Sequence, residues 1–171
     1  MPTTSLGITY PASTGHARMW EHFQALADSV NDLITSGRVS GSRIATQLVT
    51  GDSGSVTTTE TSIGSITAPL VAGRIYRIRY VTRVGTTASG DRAFVRIRED
   101  TVSGSELVGD SWYLVNPGAA GTPCSMEGEY TAPATGNKTF HLTLQRDVGT
   151  GTLRREGSFM PTYIYVDYIR G

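Results

Sequence analysis

The spacing of hydrophobic residues along this 171-residue chain changes once, near residue 40. Before that point apolar side chains recur at alternating intervals of four and three residues, the a/d pattern of a helix that pairs with other helices. After it, apolar and polar residues alternate, as in strands that bury one face. The pattern therefore predicts one helix within residues 15–37, followed by a β-domain over residues 38–171.

The predicted helix carries a continuous apolar stripe. Ser13 or Thr14 offers a hydroxyl to its first amides, and Gly37 follows its last periodic residue, as expected at the two ends of a helix. Two interpretations of the stripe remain open: it packs on the chain's own β-domain, or it bundles with copies from other chains. Three heptads are short for a free-standing bundle, so a neighbouring domain would have to contribute to its stability. The stripe consists of Met19, Phe23, Leu26, Val30 and Leu33.

Residues 1–14 precede the helix and contain two prolines and many small residues. Leu6, Ile8 and Tyr10 alternate with smaller residues, a spacing that suits a strand. Such a segment buries little by itself, but it can add as a strand to a partner. We therefore expect residues 1–14 to be an extended anchor, with Leu6, Ile8 and Tyr10 as its contact residues.

The β-domain reads as short strands separated by glycine- and asparagine-containing turns. This spacing favours an antiparallel, jelly-roll-like β-sandwich, and the absence of helical segments between strands argues against a parallel sheet. The last strand is apolar on both faces, so it is either central or covered by another subunit. Strands are predicted near 42–49, 55–68, 74–84, 92–99, 106–115, 124–131, 138–146, 152–156 and 162–170.

Four arginines alternate with apolar residues in two of these strands. Arg77 and Arg79 oppose inward-facing Tyr76, Ile78 and Tyr80. Arg96 and Arg98 likewise oppose Val95 and Ile97. If the two strands are neighbours, Arg77, Arg79, Arg96 and Arg98 form one basic ladder that would suit an anion, a glycan or a partner protein. The alternative is a solvated face balanced by nearby Glu and Asp.

Charge and composition exclude several function classes. Fifteen basic and fifteen acidic residues leave a formal net charge of zero, so no nucleic-acid partner is indicated. No apolar run is long enough to span a bilayer, so we expect no membrane insertion. The first residues lack the basic and apolar regions of a secretory signal, and we expect synthesis in a cytoplasm.

Catalytic motifs are weak. Gly51-Asp52-Ser53-Gly54 is similar to the sequence around the nucleophile of trypsin-like proteases, but that mechanism needs a histidine base and a buried aspartate. Only the helix and one strand precede the motif, and His16 and His22 lie on that helix. A single cysteine, Cys124, excludes a multi-cysteine metal site. We therefore predict no catalytic residue, no metal and no cofactor.

A family resemblance is carried by the N-terminal third and by three later stretches. GITYPASTGHARMWEHFQALADSVNDLI, with a Tyr-Pro segment before a W-E-H-x-Q-x-L-A helix, resembles the start of virion structural proteins of tailed phages that infect actinobacteria. VAGRIYRIRYVTRV, FVRIRED and YIYVDYIRG are similar to the β-sandwich of such proteins, which are often described as minor tail proteins.

The resemblance implies a non-enzymatic homotrimer that is part of the virion and is assembled in the cytoplasm of the bacterial host. Its partners would be other virion proteins, and both capsid decoration and a tail position are open. The alternative is a glycan-binding module for host attachment. Aromatic stacking on sugars would then use Trp112, Tyr113 or Tyr163.

Overall fold

The computed structural model describes residues 23–30, 41–114 and 121–171. Residues 23–30 are helical, within the predicted helix, and the other described residues form strands and the turns between them. The strands are β1 Arg43–Asp52, β2 Thr61–Leu70, β3 Ile75–Thr86, β4 Asp91–Glu99, β5 Glu106–Leu114, β6 Thr122–Thr131, β7 Gly136–Val148 and β8 Leu153–Arg170.

The eight strands form two antiparallel four-stranded sheets that pack as a sandwich. Sheet 1 has the order β1-β8-β3-β6, and sheet 2 has the order β2-β7-β4-β5. The chain crosses repeatedly from one sheet to the other, which brings β1 beside β2 at one margin and β5 beside β6 at the other. This confirms the predicted fold class, a mainly β, jelly-roll-like sandwich with one N-terminal helix.

The core forms because alternate side chains of each strand point between the sheets. Tyr76, Ile78 and Tyr80 of β3 are at most 2% exposed, as their alternation predicts. From the opposite sheet Phe140 meets the ring of Tyr130 edge to face, with the ring centroids 5.1 Å apart. Each large apolar side chain buried in this way contributes about 1.5–3 kcal/mol relative to exposure.

Strand β8 differs from the prediction, because the separate strands expected at 152–156 and 162–170 are two halves of one strand. Val49 of β1 pairs with Thr162 of β8, and Gly51 of β1 pairs with Gly157 of β8. Between these two pairs β8 therefore has more residues than β1, which is a β-bulge. The strand continues through this bulge, which contains Pro161. β8 is also central in sheet 1, between β1 and β3, which is one of the two positions its apolar character allowed.

The first two strands also have different bounds from those predicted. The turn expected at 50–52 does not reverse the chain, since β1 runs to Asp52 with Gly51 at a φ of 76°. β2 then starts at Thr61, six residues later than predicted. Val56 in the connection is 2% exposed and forms an isolated bridge with Leu153, so its apolar character reflects burial outside a strand.

A buried carboxylate joins β4 to the turn between β7 and β8. Asp91 is fully buried and accepts hydrogen bonds from the amides of Thr150 at 2.9 Å and Gly151 at 3.2 Å, and from the hydroxyl of Thr86. A Cβ at Gly149 or Gly151 would collide with this carboxylate. The glycine pair in the turn therefore allows its amides to close around Asp91.

We expect Asp91→Ala to lower the free energy of unfolding by about 3 kcal/mol, because it leaves buried amide donors without their charged acceptor. Urea denaturation monitored by circular dichroism measures the change. Asp110→Ala is the matched control, since Asp110 is exposed and bonds only the amide of the next residue. Equal small effects of the two substitutions would contradict the anchoring role of Asp91.

Candidate interaction surfaces

The described turns of the helix show their apolar stripe to solvent. Phe23, Leu26 and Val30 are 51%, 59% and 40% exposed. Packing of this stripe against the chain's own sandwich would have buried these side chains, so the described part of the stripe is not packed in that way. Met19 and Leu33, and the anchor residues Leu6, Ile8 and Tyr10, lie outside the described residues.

The arginines proposed as one basic ladder lie in two different sheets. Arg77 and Arg79 belong to β3 in sheet 1, whereas Arg96 and Arg98 belong to β4 in sheet 2. The two strands are not neighbours, so the condition for a single ladder is not met. The sequence could not show this, because strand order depends on pairing between distant segments.

On the outer face of sheet 2 the arginines are neutralised by carboxylates. Arg98 binds both carboxylate oxygens of Glu60 at 2.9 Å, and Arg96 lies 3.3 Å from Glu60 and 3.1 Å from Glu106. The hydroxyl of Thr143 in β7 also donates to Glu60. Glu60 was missed in the sequence, since only the pairing of β2 with β7 places it on this face.

Burial acts to raise the pKa of Glu60, but its hydrogen bonds from Arg98 and Thr143 and the charges of Arg96 and Arg98 act more strongly in the other direction. The net result is a pKa below the ordinary value of 4.5. The arginines of this cluster are therefore paired within the chain. This agrees with the alternative of a face balanced by nearby Glu and Asp better than with an anion-binding site.

The outer face of sheet 1 has loosely paired charges. Arg77 lies 3.9 Å from Glu127, and both side chains are about half exposed. No ion pair to Arg79 is found within the described part of the chain, and its side chain is exposed. Arg43 at the edge binds Asp167 at 2.9 Å and covers the ring of Tyr165 at 3.9 Å. These groups remain accessible to a partner.

Beside these charges lies a set of exposed or partly exposed apolar side chains that we call the apolar ridge. Leu48, Tyr163 and Val81 are Cα partners across β1, β8 and β3, and the rings of Tyr163 and Tyr165 stack with centroids 6.0 Å apart. Phe159, in the β8 bulge, is 69% exposed and lies under the guanidinium of Arg83, which places it on the same face. The ridge consists of Leu48, Val81, Phe159, Tyr163 and Tyr165.

The three aromatic residues considered for sugar stacking have different environments. Trp112 is partly buried against the core. Tyr113 is 63% exposed on the outer face of sheet 2, with the guanidinium of Arg92 at 5.7 Å from its ring centre. Tyr163 is 37% exposed on sheet 1, on the opposite side of the sandwich. Two of the three rings are therefore accessible, but they do not form one site.

The residues considered for catalysis have structural partners. The hydroxyl of Ser53 accepts a hydrogen bond from the amide of Arg155 at 2.8 Å and donates to the carbonyl of Gly54 at 3.0 Å. His141 lies in β7 and contacts Ser62 at 3.2 Å. Burial, with a smaller effect of Asp110, raises the pKa of Cys124 to about 12, so its thiol is unreactive at neutral pH. His16 and His22 lie outside the described residues.

Two other kinds of site are absent from the described residues. These residues contain no group of three or more His, Cys, Asp or Glu side chains arranged to hold a metal ion. They also contain no helix long and apolar enough to cross a membrane.

The geometry defines a two-sheet antiparallel β-sandwich protein with an exposed N-terminal helical stripe. No protein-family model matches the chain, and no curated protein matches it. Solved structures similar to it include a carbohydrate-binding module described as CBM4, at 13% identity and a TM-score of 0.35 over 61% of this chain and 59% of that one.

The VP2 subviral particle of infectious bursal disease virus is similar over 72% of this chain and 36% of that one, at 14% identity and a TM-score of 0.39. An arabinose-bound α-L-arabinofuranosidase is similar over 72% and 23%, at 14% identity and a TM-score of 0.34. The chain thus spans 59% of the carbohydrate-binding module and about a third of VP2. Likenesses of this size identify neither a family nor a function.

The lowered pKa of Glu60 predicts an acid-dependent loss of stability. The ionised carboxylate stabilises the fold above the ordinary pKa of 4.5, and this contribution is lost as the pH falls through the lowered value. We expect Glu60→Gln to lower the free energy of unfolding by about 1–3 kcal/mol at pH 7. Urea denaturation at a series of pH values should show this difference shrinking as the pH falls below 4.5 and through the lowered pKa of Glu60.

The control is Glu127→Gln, because Glu127 is 53% exposed and only loosely paired. Its effect should stay below about 0.5 kcal/mol at every pH. A Glu60→Gln effect on the free energy of unfolding that does not change with pH would show that packing, rather than the carboxylate charge, is responsible.

Proposed function

We propose that this chain is a non-enzymatic structural protein of a bacteriophage virion, a homotrimer displayed on the particle surface and held there by its N-terminus. The observation that carries the proposal is the exposed stripe of the helix. Leu26 and Val30, one turn apart, are 59% and 40% exposed in a chain whose β-domain has a complete core of its own.

The energetics of the stripe support self-association. Burying apolar surface contributes about 25 cal/mol per Å², and leaving a row of leucine and valine side chains in water forgoes that contribution. A helix with hydrophobic residues at a and d positions recovers it by packing against equivalent helices. Phe23, Leu26 and Val30 keep the stripe apolar, whereas the polar Gln24 and Asp28 lie outside it. This division suits a bundle of identical chains.

The sandwich suits a display domain. Its two sheets bury their inner faces against each other, so it does not need the helix for its core. In this proposal residues 1–14 dock Leu6, Ile8 and Tyr10 onto another virion protein, and the helix spaces that anchor from the sandwich. Capsid decoration is the position we propose first, with a minor tail protein as the other position.

Assembly in the cytoplasm of the bacterial host and localisation to the virion follow from the same proposal. They can be tested by cryo-microscopy of an intact particle. A copy number matching capsid symmetry axes would indicate decoration, and a few copies at the tail would indicate a minor tail protein. Absence of the chain from purified particles would contradict the proposal.

The helical seam is tested with Leu26→Asp/Val30→Asp. Paired carboxylates in the seam would be buried without partners, so we expect the molecular mass in light scattering to fall from that of a trimer to that of a monomer. The far-ultraviolet circular dichroism of the sandwich should be retained.

Gln24→Asp/Ala25→Asp is the matched control, because it adds the same charge to the same turn outside the stripe and should leave the mass unchanged. A monomeric unsubstituted protein at micromolar concentration would refute self-association. Dissociation by both variants would refute the assigned seam.

A second candidate function, glycan binding for host attachment, is favoured by one observation. Tyr113 shows 63% of its surface, and the neighbouring Arg92 is paired with Asp147, so the exposed ring offers a sugar a stacking face next to an ion pair. If this function is correct, the protein should bind a member of an array of actinobacterial cell-wall glycans. Tyr113→Ala should weaken that binding by about tenfold or more. Val71→Ala, which truncates another exposed apolar side chain, is the control, and no binding to any glycan would exclude this candidate.

A further inference from the structure

We infer that the outer face of sheet 1, centred on the apolar ridge, is the surface through which the sandwich contacts the sandwich of a second copy of this chain. The inference rests on the proposed self-association through the helix and adds to it the face by which the β-domains meet. The two ideas can fail separately, and the experiment below is designed to distinguish them.

The two outer faces of the sandwich differ in how they treat apolar side chains. On sheet 1, Leu48 of β1 is 46% exposed, and Phe159 and Tyr163 of the central strand β8 are 69% and 37% exposed. Part of sheet 2 holds the ionic network around Glu60, in which the side chains of Arg96 and Arg98 are less than 20% exposed. Sheet 2 also exposes Tyr113 and Val148, but these two flank Arg92, which is paired with Asp147. Sheet 1 has the larger set of exposed apolar side chains, and association can bury that surface.

The strand that carries the ridge also has the wrong composition for a solvent face. On β8 the inner residues Ile164 and Val166 are buried in the core, yet Tyr163 and Tyr165 on the outer side are large rings as well. Central position in the sheet explains why β8 is apolar inside, but it gives no reason for aromatic residues outside. A protein neighbour supplies that reason.

The charges around the ridge favour a second copy over a partner of one sign. β3 presents Arg77 and Arg79, and the neighbouring β6 presents Glu127 and Glu129 in register with them. The Arg77–Glu127 pair is 3.9 Å long and exposed, so it contributes little within the chain and can be exchanged for a pair with another chain. A face with adjacent columns of both signs is complementary to another copy of itself.

The position of the helix makes even a modest contact sufficient. Ten residues, 31–40, connect the described helix to Gly41, whose amide donates a hydrogen bond to the carbonyl of Tyr168 in β8. Those residues span at most about 35 Å when extended. Copies joined by their helices therefore hold their sandwiches at effective concentrations in the millimolar range, where a small apolar face is enough to associate.

Thiol labelling can test the inference, because Cys124 is buried and its pKa of about 12 makes it unreactive at neutral pH. Leu48→Cys places a thiol in the ridge. Val148→Cys is the control on sheet 2, since Leu48 and Val148 are both 46% exposed. Each is labelled with fluorescein maleimide in the full chain, with and without Leu26→Asp/Val30→Asp.

We expect Leu48→Cys to react at least about fivefold more slowly in the oligomer than in the monomeric background, because only dissociated chains expose it. Val148→Cys should react at the same rate in both. Equal rates for Leu48→Cys in the two backgrounds would overturn the inference while leaving the helical trimer intact. Slower labelling at both positions in the oligomer would also overturn the inference, since burial by another copy would not be specific to sheet 1.

A second variant is needed because Leu48→Cys could itself weaken the contact that it reports. Tyr163→Glu should raise the dissociation constant of the oligomer at least about tenfold, and Tyr113→Glu on the other sheet should not. If Tyr163→Glu dissociates an oligomer that Leu26→Asp/Val30→Asp leaves intact, the ridge is supported and the helical seam is refuted. An unsubstituted chain that is monomeric at all concentrations would overturn both the helical seam and the ridge contact. A Tyr163→Glu variant with an unchanged dissociation constant would overturn the ridge contact alone.

Discussion

The constraint on which this structure depends is that a sheet has two faces and a two-layer sandwich can bury only one of each. Strict alternation in β3, β4 and β7 sends one set of side chains between the sheets, where Tyr80, Ile97 and Leu142 are at most 2% exposed. The opposite set must then face water or another molecule. The composition of the two outer faces therefore decides what the protein can contact once its core is complete.

The two sheets meet this constraint in different ways. Over part of its outer face sheet 2 carries an ionic network in which Glu60, supplied by the segment before β2, binds arginines of β4. Sheet 1 instead carries stacked tyrosines and a bulge that exposes Phe159. Ion pairs satisfied within a chain leave little for a partner to gain, whereas exposed rings beside exchangeable charges leave both apolar area and charge to be used.

The same logic links the helix to the sandwich. The described turns of the helix place Leu26 and Val30 in solvent, and a short connection leads from them to the edge strand next to β8. Two unsatisfied apolar surfaces in one chain, one helical and one on a sheet, reinforce each other if copies assemble, because joining the first raises the local concentration of the second. The proposed structural role in a virion rests on this pairing and on the resemblance of the N-terminal sequence.

The sequence by itself determined that a helix precedes the sandwich, the β class and the inward side of each main strand, because these follow from local periodicity. It also indicated that β8 would be central or covered. Only the tertiary structure decided that Arg77 and Arg96 lie in different sheets, that Glu60 neutralises Arg98, and that residues 152–170 form one bulged strand. It alone brought Leu48, Phe159 and Tyr163 together. Each of these outcomes depends on which distant segments pair, and local alternation carries no information about that choice.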